Sequence, residues 1–474
     1  MFDLLPRIPG GEPMLIVMLA GNDWLDDSRI VREAECLASR GHRVHVLCGG
    51  QISEETVEER QAVTYHRVPI GRMSLHAKAR VMKIHLAVAL RAGRSAPGAR
   101  GMSARFRAMQ TLVATAGSLA LACPILSLVL VERMVSERFA TWLRGRLKPV
   151  VSYLSQPFVH LDEFAARCLD AIMRLKPDVV HAHDIRTLSA GVVAADRLGC
   201  RLVYDAHELE THTKYEGMNE WTRYWVAEYE RILIRRADAV VTVCDSIAGW
   251  LAREYGIRRP VVVFNAPAGG SPVLSAASPK EHLRETLNLP PEASLIVYVG
   301  WVTVERGLDL CVKALAELPG AHFATVGPRH AATEMKLLQT AGDLGLLDRV
   351  HLVDPVPHDQ VMSFISSANC SVIAIQNVSL NNNFCFPNKL LDSVIAGVPV
   401  AVSNLVELRQ FVVKHEVGVV MDESDPHLIA AAIGTLLRQQ EQYRPSPAKV
   451  ASIERQYGWA VQEEKLLDLY RGLL

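Results

Sequence analysis

Twice along its 474 residues the chain repeats one rhythm: a short apolar run, a turn, then a helical pattern. The first passage places such runs at 14–20, 43–48, 178–183, 201–205, 239–243 and 261–264. The second places them at 295–299, 322–326, 350–353, 371–375 and 398–402. Short, continuous runs rich in Val, Leu and Ile, alternating with helices, predict parallel strands buried on both faces. The first helix is expected over 28–40, with Gly41 ending it as a C-cap glycine. Between the two passages, residues 266–292 hold five prolines and paired glycines, the composition of a linker. The reading is therefore α/β: two doubly wound domains, 1–265 and 293–455, facing a cleft. A last helix within 456–474 carries Trp459, Leu466, Leu467 and Tyr470 at helical spacing and is expected to pack back on the first domain. In open α/β sheets ligands bind outside the carboxyl ends of the strands, so function is expected in that cleft.

Composition mainly excludes. The 51 basic residues balance 51 acidic ones, so whole-chain charge implies no partner. Nine scattered cysteines include no Cys-x-x-Cys pair, which argues against a zinc ribbon or a disulfide framework and for a reducing compartment. The N-terminus lacks the basic and apolar regions of a secretory signal. A cytoplasmic protein is expected.

Local charge is less even. No acidic residue occurs between Glu59 and Glu132, a stretch that holds eleven arginines and lysines from Arg60 to Arg107. Residues 112–131 then carry no charge, at the ~20-residue length of a membrane span. A true span would split the first sheet across a membrane. Two readings of this insertion (about 70–150) stay open. One is a helical segment lying on an anionic membrane surface, on the cytoplasmic face of the inner membrane, with each basic residue contributing roughly 1 kcal/mol. The other is a buried helical hairpin whose basic face is solvated. Nucleic acid is not expected as a partner, because the apolar run offers it nothing.

The most informative motif begins in an Asn-rich turn and runs Phe386-Pro387-Asn388-Lys389-Leu390-Leu391-Asp392, ending at Ala396-Gly397-Val398-Pro399-Val400. Proline is favourable at a helix start, and the free N–H groups there suit a diphosphate. Asp392, one turn in, can accept hydrogen bonds from a ribose. A second motif, Gly300-Trp301-Val302-Thr303-Val304-Glu305-Arg306-Gly307, joins a strand end to a helix. Gly300 lets the backbone approach phosphate, and Arg306 can neutralise a leaving diphosphate. In the first half, His181-Ala182-His183-Asp184 and Tyr204-Asp205-Ala206-His207-Glu208 follow strand ends.

These motifs, in this order and spacing, resemble the retaining GT-B glycosyltransferases of family 4 over essentially the whole chain outside the insertion. The resemblance implies donor binding by Gly300, Trp301, Pro387 and Asn388, with catalytic roles for His183, Arg306, Lys389 and Asp392. It places Asp205, His207 and Glu208 on the acceptor side. Arg29, in an opening loop like the family's Asp-x-Arg, would bind an acceptor phosphate or form a salt bridge within its loop. Two departures stand out. The family's paired glutamates become Phe384 and Asp392, and its basic pair becomes Trp301 and Arg306, with Lys389 a substitute for the missing cation. Without Asp-x-Asp, Gly-x-Gly-x-x-Gly or a P-loop, no metal-bridged diphosphate and no dinucleotide cofactor is expected.

The expected activity is retaining transfer from a UDP- or GDP-sugar, without a metal, to a lipid-linked or polysaccharide acceptor. Bacterial surface polysaccharide assembly would be the setting. A nucleotide-sugar epimerase of the same fold and a non-catalytic, membrane-docked scaffold are the alternatives.

Overall fold

A computed structural model describes residues 13–21, 28–50, 55–69, 163–213, 220–267, 271, 273 and 282–473. The insertion at about 70–150 and the loop at 22–27 lie outside the described residues.

The strands form two sheets. The first contains β1 (Leu15–Ala20), β2 (Arg43–Gly50), β3 (Thr56–Arg60), β4 (Val63–Pro69), β5 (Val179–His183), β6 (Arg201–Ala206), β7 (Ala239–Thr242) and β8 (Val261–Val262). Their spatial order is β3-β4-β2-β1-β5-β6-β7-β8, parallel except for the β3–β4 hairpin. The second contains β9 (Ser294–Val299), β10 (Ala321–Val326), β11 (Val350–Val353), β12 (Cys370–Ile373), β13 (Val400–Ser403) and β14 (Gly418–Met421), in the order β11-β10-β9-β12-β13-β14 and parallel throughout. In both sheets the strand order reverses direction beside the first strand, and crevices open there.

The apolar runs became strands because both of their faces are covered. Every residue of β1, β5 and β12 is buried. The hairpin strands β3 and β4 and the edge strand β14 were not anticipated. All five residues of β3 are exposed, so it has no apolar run to betray it. Gly41 has φ +91 and donates its N–H to Ala38 O at 3.0 Å, closing the Ser28–Ser39 helix as expected.

The chain's end returns to the first domain. A Pro447–Tyr457 helix breaks at Gly458, and Trp459–Arg471 follows. Leu466, Leu467 and Tyr470 pack with Met14, Ile16, Ile30 and Val46 beneath β1 and β2. Gln462 accepts the Phe264 N–H at 3.1 Å, and the Tyr470 hydroxyl meets His181 Nδ1 at 2.9 Å. Leu466 is fully buried, so Leu466→Ala is expected to cost about 2–5 kcal/mol of stability in urea unfolding. A loss below 1 kcal/mol would show that the returning helix is dispensable.

Between the sheets the domains touch directly. Leu209 N donates to Asn381 Oδ1 at 2.9 Å, Ser246 N donates to Glu407 at 2.7 Å, and the Phe264 and Phe386 rings lie 4.8 Å apart. Among the described residues no helix is long and apolar enough to cross a membrane.

Candidate active site

A cleft of about 690 Å³ lies between the domains. One wall comes from the second domain. Strand β9 ends just before Gly300, whose φ of +111 few residues other than glycine adopt. A Cβ there would come within 3.1 Å of Lys389 Nζ. Gly327, after β10, has its missing Cβ only 2.5 Å from Gly300 O, so the two loops meet backbone to backbone. The glycines thereby make room for the cation between them and the next helix.

That helix, Asn388–Ile395, starts after Pro387 with no side-chain cap, so its first N–H groups face the cleft unclaimed by a side chain. The Asn-rich turn before it is itself a short helix, Leu380–Phe384, because the Ser379 hydroxyl accepts Asn382 N–H at 3.0 Å. Lys389 donates to the Tyr298 hydroxyl at 2.7 Å and sits 3.9 Å from the centre of the Tyr298 ring. Burial, and next the neighbouring Arg306, hold its ammonium well below the usual lysine range. Among the described residues no hydrogen bond or ion pair holds Arg306, which lines the cleft with Trp301. Arg306 and Lys389 thus face one space that Glu208, Glu305 and Asp392 also line, and a bound polyanion there would favour the charged form of Lys389.

Asp392 lies deeper, 4% exposed. Burial pushes its carboxyl up to about 7, against the pull of Arg32 and Lys389. Because the folded value exceeds the unfolded one, its protonated form stabilises the protein at low pH. That contribution is lost as pH rises from about 4 to about 7. Asp392→Asn is expected to remove this decline, which melting curves of wild type and variant across pH 5 to 8 will show. Parallel curves would mean that Asp392 does not titrate there.

The other wall comes from the first domain, and here the structure redistributes the expected roles. His207 and Glu208 line the cleft. Glu208 accepts from Asn381 Nδ2 at 3.1 Å across the interface. His183 is fully buried behind them and is not part of the lining. Its place on β5 turns the ring inward, where Nδ1 lies 3.1 Å from His207 Nε2. His207, and not His183, is the histidine of this pair that lines the cleft. Arg29 also lines the cleft, and it is held by protein partners. Nε and Nη2 donate to Asp205 at 2.8 and 3.0 Å, and Nη1 donates to Val263 O at 2.6 Å. Among the described residues its ion pairs run to Asp205 on β6 and to Glu33 on its own helix, and the loop expected to hold its partner lies outside them. Asp205 is fully buried and holds Arg29 and His207, the latter at 3.2 Å. Burial alone would raise Asp205, but Arg29 and then His207 hold it well below the usual carboxylate range. Burial works against charge on His207, yet Asp184 and Asp205 push it up to about 10.

Tyr298 and Gly327 were missed by sequence reasoning. Tyr298 carries the lone hydroxyl in the otherwise aliphatic run 295–299, and that was its signal. Gly327 had none.

Two facing Rossmann-like domains around a polyanion-accepting cleft define the GT-B class of glycosyltransferases. Glycosyltransferase Family 4 matches residues 128–266, and Glycosyl transferases group 1 matches residues 279–450. The chain belongs to the family 4 glycosyltransferases and is an enzyme of that activity. Its relatives include D-inositol 3-phosphate glycosyltransferases of Acidothermus cellulolyticus (29% identical, covering 67% of this chain and 72% of the relative) and Xylanimonas cellulosilytica (29% identical, covering 62% and 71%). Sucrose-phosphate synthase from Thermosynechococcus elongatus shares the fold at a TM-score of 0.65 and 16% identity, covering 97% of this chain and 99% of that one. WaaG, a glycosyltransferase involved in lipopolysaccharide biosynthesis, does so at 0.59 and 14%, covering 96% and 99%. Anabaena Alr3699/HepE, solved with UDP-glucose, aligns at 0.58 and 14%, covering 97% and 100%.

Proposed function

We propose that the chain transfers a sugar, with retention, from a nucleoside diphosphate sugar to a lipid-linked or polysaccharide acceptor in bacterial surface polysaccharide assembly. The observation that carries this reading is the convergence of Arg306, Lys389 and the start of the Asn388–Ile395 helix on one cleft. A diphosphate seated there meets two cations and free N–H groups. As the glycosidic bond to phosphate breaks, charge grows on the leaving oxygen, and these groups stabilise it more in the transition state than before. The acceptor attacks from the same face, and the leaving phosphate oxygen takes its proton, so no strong protein base is needed. Asp392 accepts from the ribose, and His207 meets the sugar. The two cations perform the charge neutralisation for which other glycosyltransferases use a metal.

The membrane side of the proposal rests on sequence: the acid-free run after Glu59 and the uncharged run at 112–131 belong to the acceptor-binding half. A lipid-linked acceptor fits that placement, with the enzyme peripheral on the cytoplasmic face of the inner membrane.

The test is a thermal-shift panel of UDP, GDP and ADP, followed by turnover with lipid-extract acceptors. The expected result is a raised melting temperature with UDP or GDP, and nucleoside diphosphate release only when acceptor is present. An epimerase would convert the donor without acceptor. If no nucleotide shifts the melting temperature, the donor-site reading fails. Deletion of residues 72–131 is expected to move the protein out of the membrane fraction, and an unchanged distribution would sink the docking idea.

A further inference from the structure

Behind His207, inside the first domain, four side chains from three elements converge: Glu33 from the Ser28–Ser39 helix, His181 and His183 from β5, and Asp205 from β6. All four are fully buried, and one ligand atom from each lies within 4.8 Å of those of the others. His181 and His183, two apart on a strand, point to the same face and stack with ring centres 4.3 Å apart.

The hydrogen-bond accounting at this point does not close. Glu33 Oε1, Glu33 Oε2, His181 Nε2 and His183 Nε2 are buried and have no hydrogen-bond partner. Buried polar atoms are nearly always satisfied, and four unsatisfied ones in one place call for a bound species. The outer nitrogens show what kind. His181 Nδ1 is paired with the Tyr470 hydroxyl at 2.9 Å. His183 Nδ1 lies 3.4 Å from Asp205 Oδ2 and 3.1 Å from His207 Nε2, which itself lies 3.2 Å from the same oxygen, so a shared Asp205 oxygen can accept from both rings. With protons on both Nδ1 atoms, both Nε2 atoms are acceptors; that of His181 lies 4.0 Å from Glu33 Oε2, and Glu33 offers two acceptor oxygens. A water molecule has two protons for these four acceptors and falls short. A cation satisfies them together.

We propose that Glu33, His181 and His183 bind one divalent transition-metal ion of the zinc class, with Asp205 and Tyr470 orienting the imidazoles from outside. Two imidazoles and a carboxylate suit zinc or cobalt, whereas magnesium and calcium favour all-oxygen sites. The Asp205–His183 and Tyr470–His181 contacts are the outer-shell partners that fix the tautomer of a metal-bound histidine. Ligand atoms around a tetrahedral ion sit roughly 3.4 Å apart, so binding draws the set together by about 1 Å. Arg29 opposes a cation, with Nε 3.2 Å from Glu33 Oε1. Its charge is already matched by two hydrogen bonds to Asp205, which leaves the Glu33 charge for the ion. The ion stands apart from the proposed donor diphosphate site, where no metal is expected. It is structural: it ties the first helix, β5 and, through Tyr470, the returning C-terminal helix into one unit behind His207.

The experiment uses the full chain purified without a histidine tag, stripped with a chelator and titrated with Co²⁺. The expected result is a visible ligand-field absorption saturating at about one equivalent, a melting temperature raised by Co²⁺ or Zn²⁺ and not by Mg²⁺, and UDP binding unchanged by stripping. Glu33→Gln, nearly isosteric, is expected to weaken Co²⁺ binding by at least about tenfold while near-ultraviolet circular dichroism stays native. Absence of the band and of any melting shift in the wild-type chain overturns the proposal and leaves a protonated Glu33 or a buried water at the site. An unchanged Co²⁺ spectrum in Glu33→Gln overturns it equally. Because the wild-type titration decides without the variant, a Glu33→Gln chain that fails to fold changes nothing. UDP binding is read separately, so failure here is distinct from failure of the glycosyl-transfer reading.

Discussion

Arg306→Ala is expected to lower kcat about a thousandfold while the protein keeps its fold and its melting temperature without ligand. The size follows from the loss of one preorganised charge from a site where charge develops, which costs about 10²–10³ in rate. The fold should survive because among the described residues nothing hydrogen-bonds or ion-pairs with Arg306; its charge helps to hold down the Glu208 carboxyl, and its removal relieves the repulsion it places on Lys389. Nucleotide affinity should fall less than kcat, since Lys389 and the start of the Asn388–Ile395 helix still hold the diphosphate. Arg306→Lys should recover part of the rate, because it restores the charge without the planar fork. The checks are release of nucleoside diphosphate at saturating donor and acceptor, and calorimetric binding of UDP. If kcat falls less than tenfold, the cation that assists departure lies elsewhere, and Lys389 becomes the first candidate.

The wall that holds Arg306 was the more legible of the two, for a physical reason. Its groups are backbone and near-backbone features: a glycine at a strand end, a proline before a helix, a cation one residue into it. Such features are local, and their spacing in sequence is their spacing in space. The continuous apolar runs likewise announced buried parallel strands, while β3, exposed along its whole length, announced nothing. The opposite wall depends on which way a side chain leaves its strand. His183 and His207 both follow strand ends, and sequence treats them alike. The pleat of β5 sends His183 inward, whereas His207 lies one residue beyond β6 and reaches the cleft. Arg29 was harder still, because its partner Asp205 is 176 residues away. Long-range pairing of charges is a property of the packed sheet and has no local signature. Glu33 shows the same limit, since only the fold brings its helix over His181.

Asp205→Asn should therefore be the most destabilising single polar substitution in the first domain, by about 3–5 kcal/mol, the usual cost of stranding one partner of a buried ion pair. Arg29, 2% exposed, would keep its charge and lose the group that takes two of its hydrogen bonds, while it still meets Glu33 and Val263 O. The pH dependence has two limbs. Asp205 titrates far below its ordinary value in the folded state, so its contribution is present above about pH 4 and fades as pH falls below that. His207, pushed up to about 10, contributes fully below about 6.5 and loses that contribution as pH rises through 10. Asp205 supplies part of the His207 shift and Asp184 the rest, so the variant keeps only some of it. The stability difference between wild type and Asp205→Asn should then be largest near pH 5 to 6 and narrow as pH climbs toward 10. Urea unfolding at pH 5.5, 7.5 and 9.5 measures it, and a proton NMR titration of His207 follows the same coupling from the histidine's side. A difference below 1 kcal/mol at pH 5.5 would mean that Glu33 alone satisfies Arg29, and that the acceptor wall is held by packing and not by this charge pair.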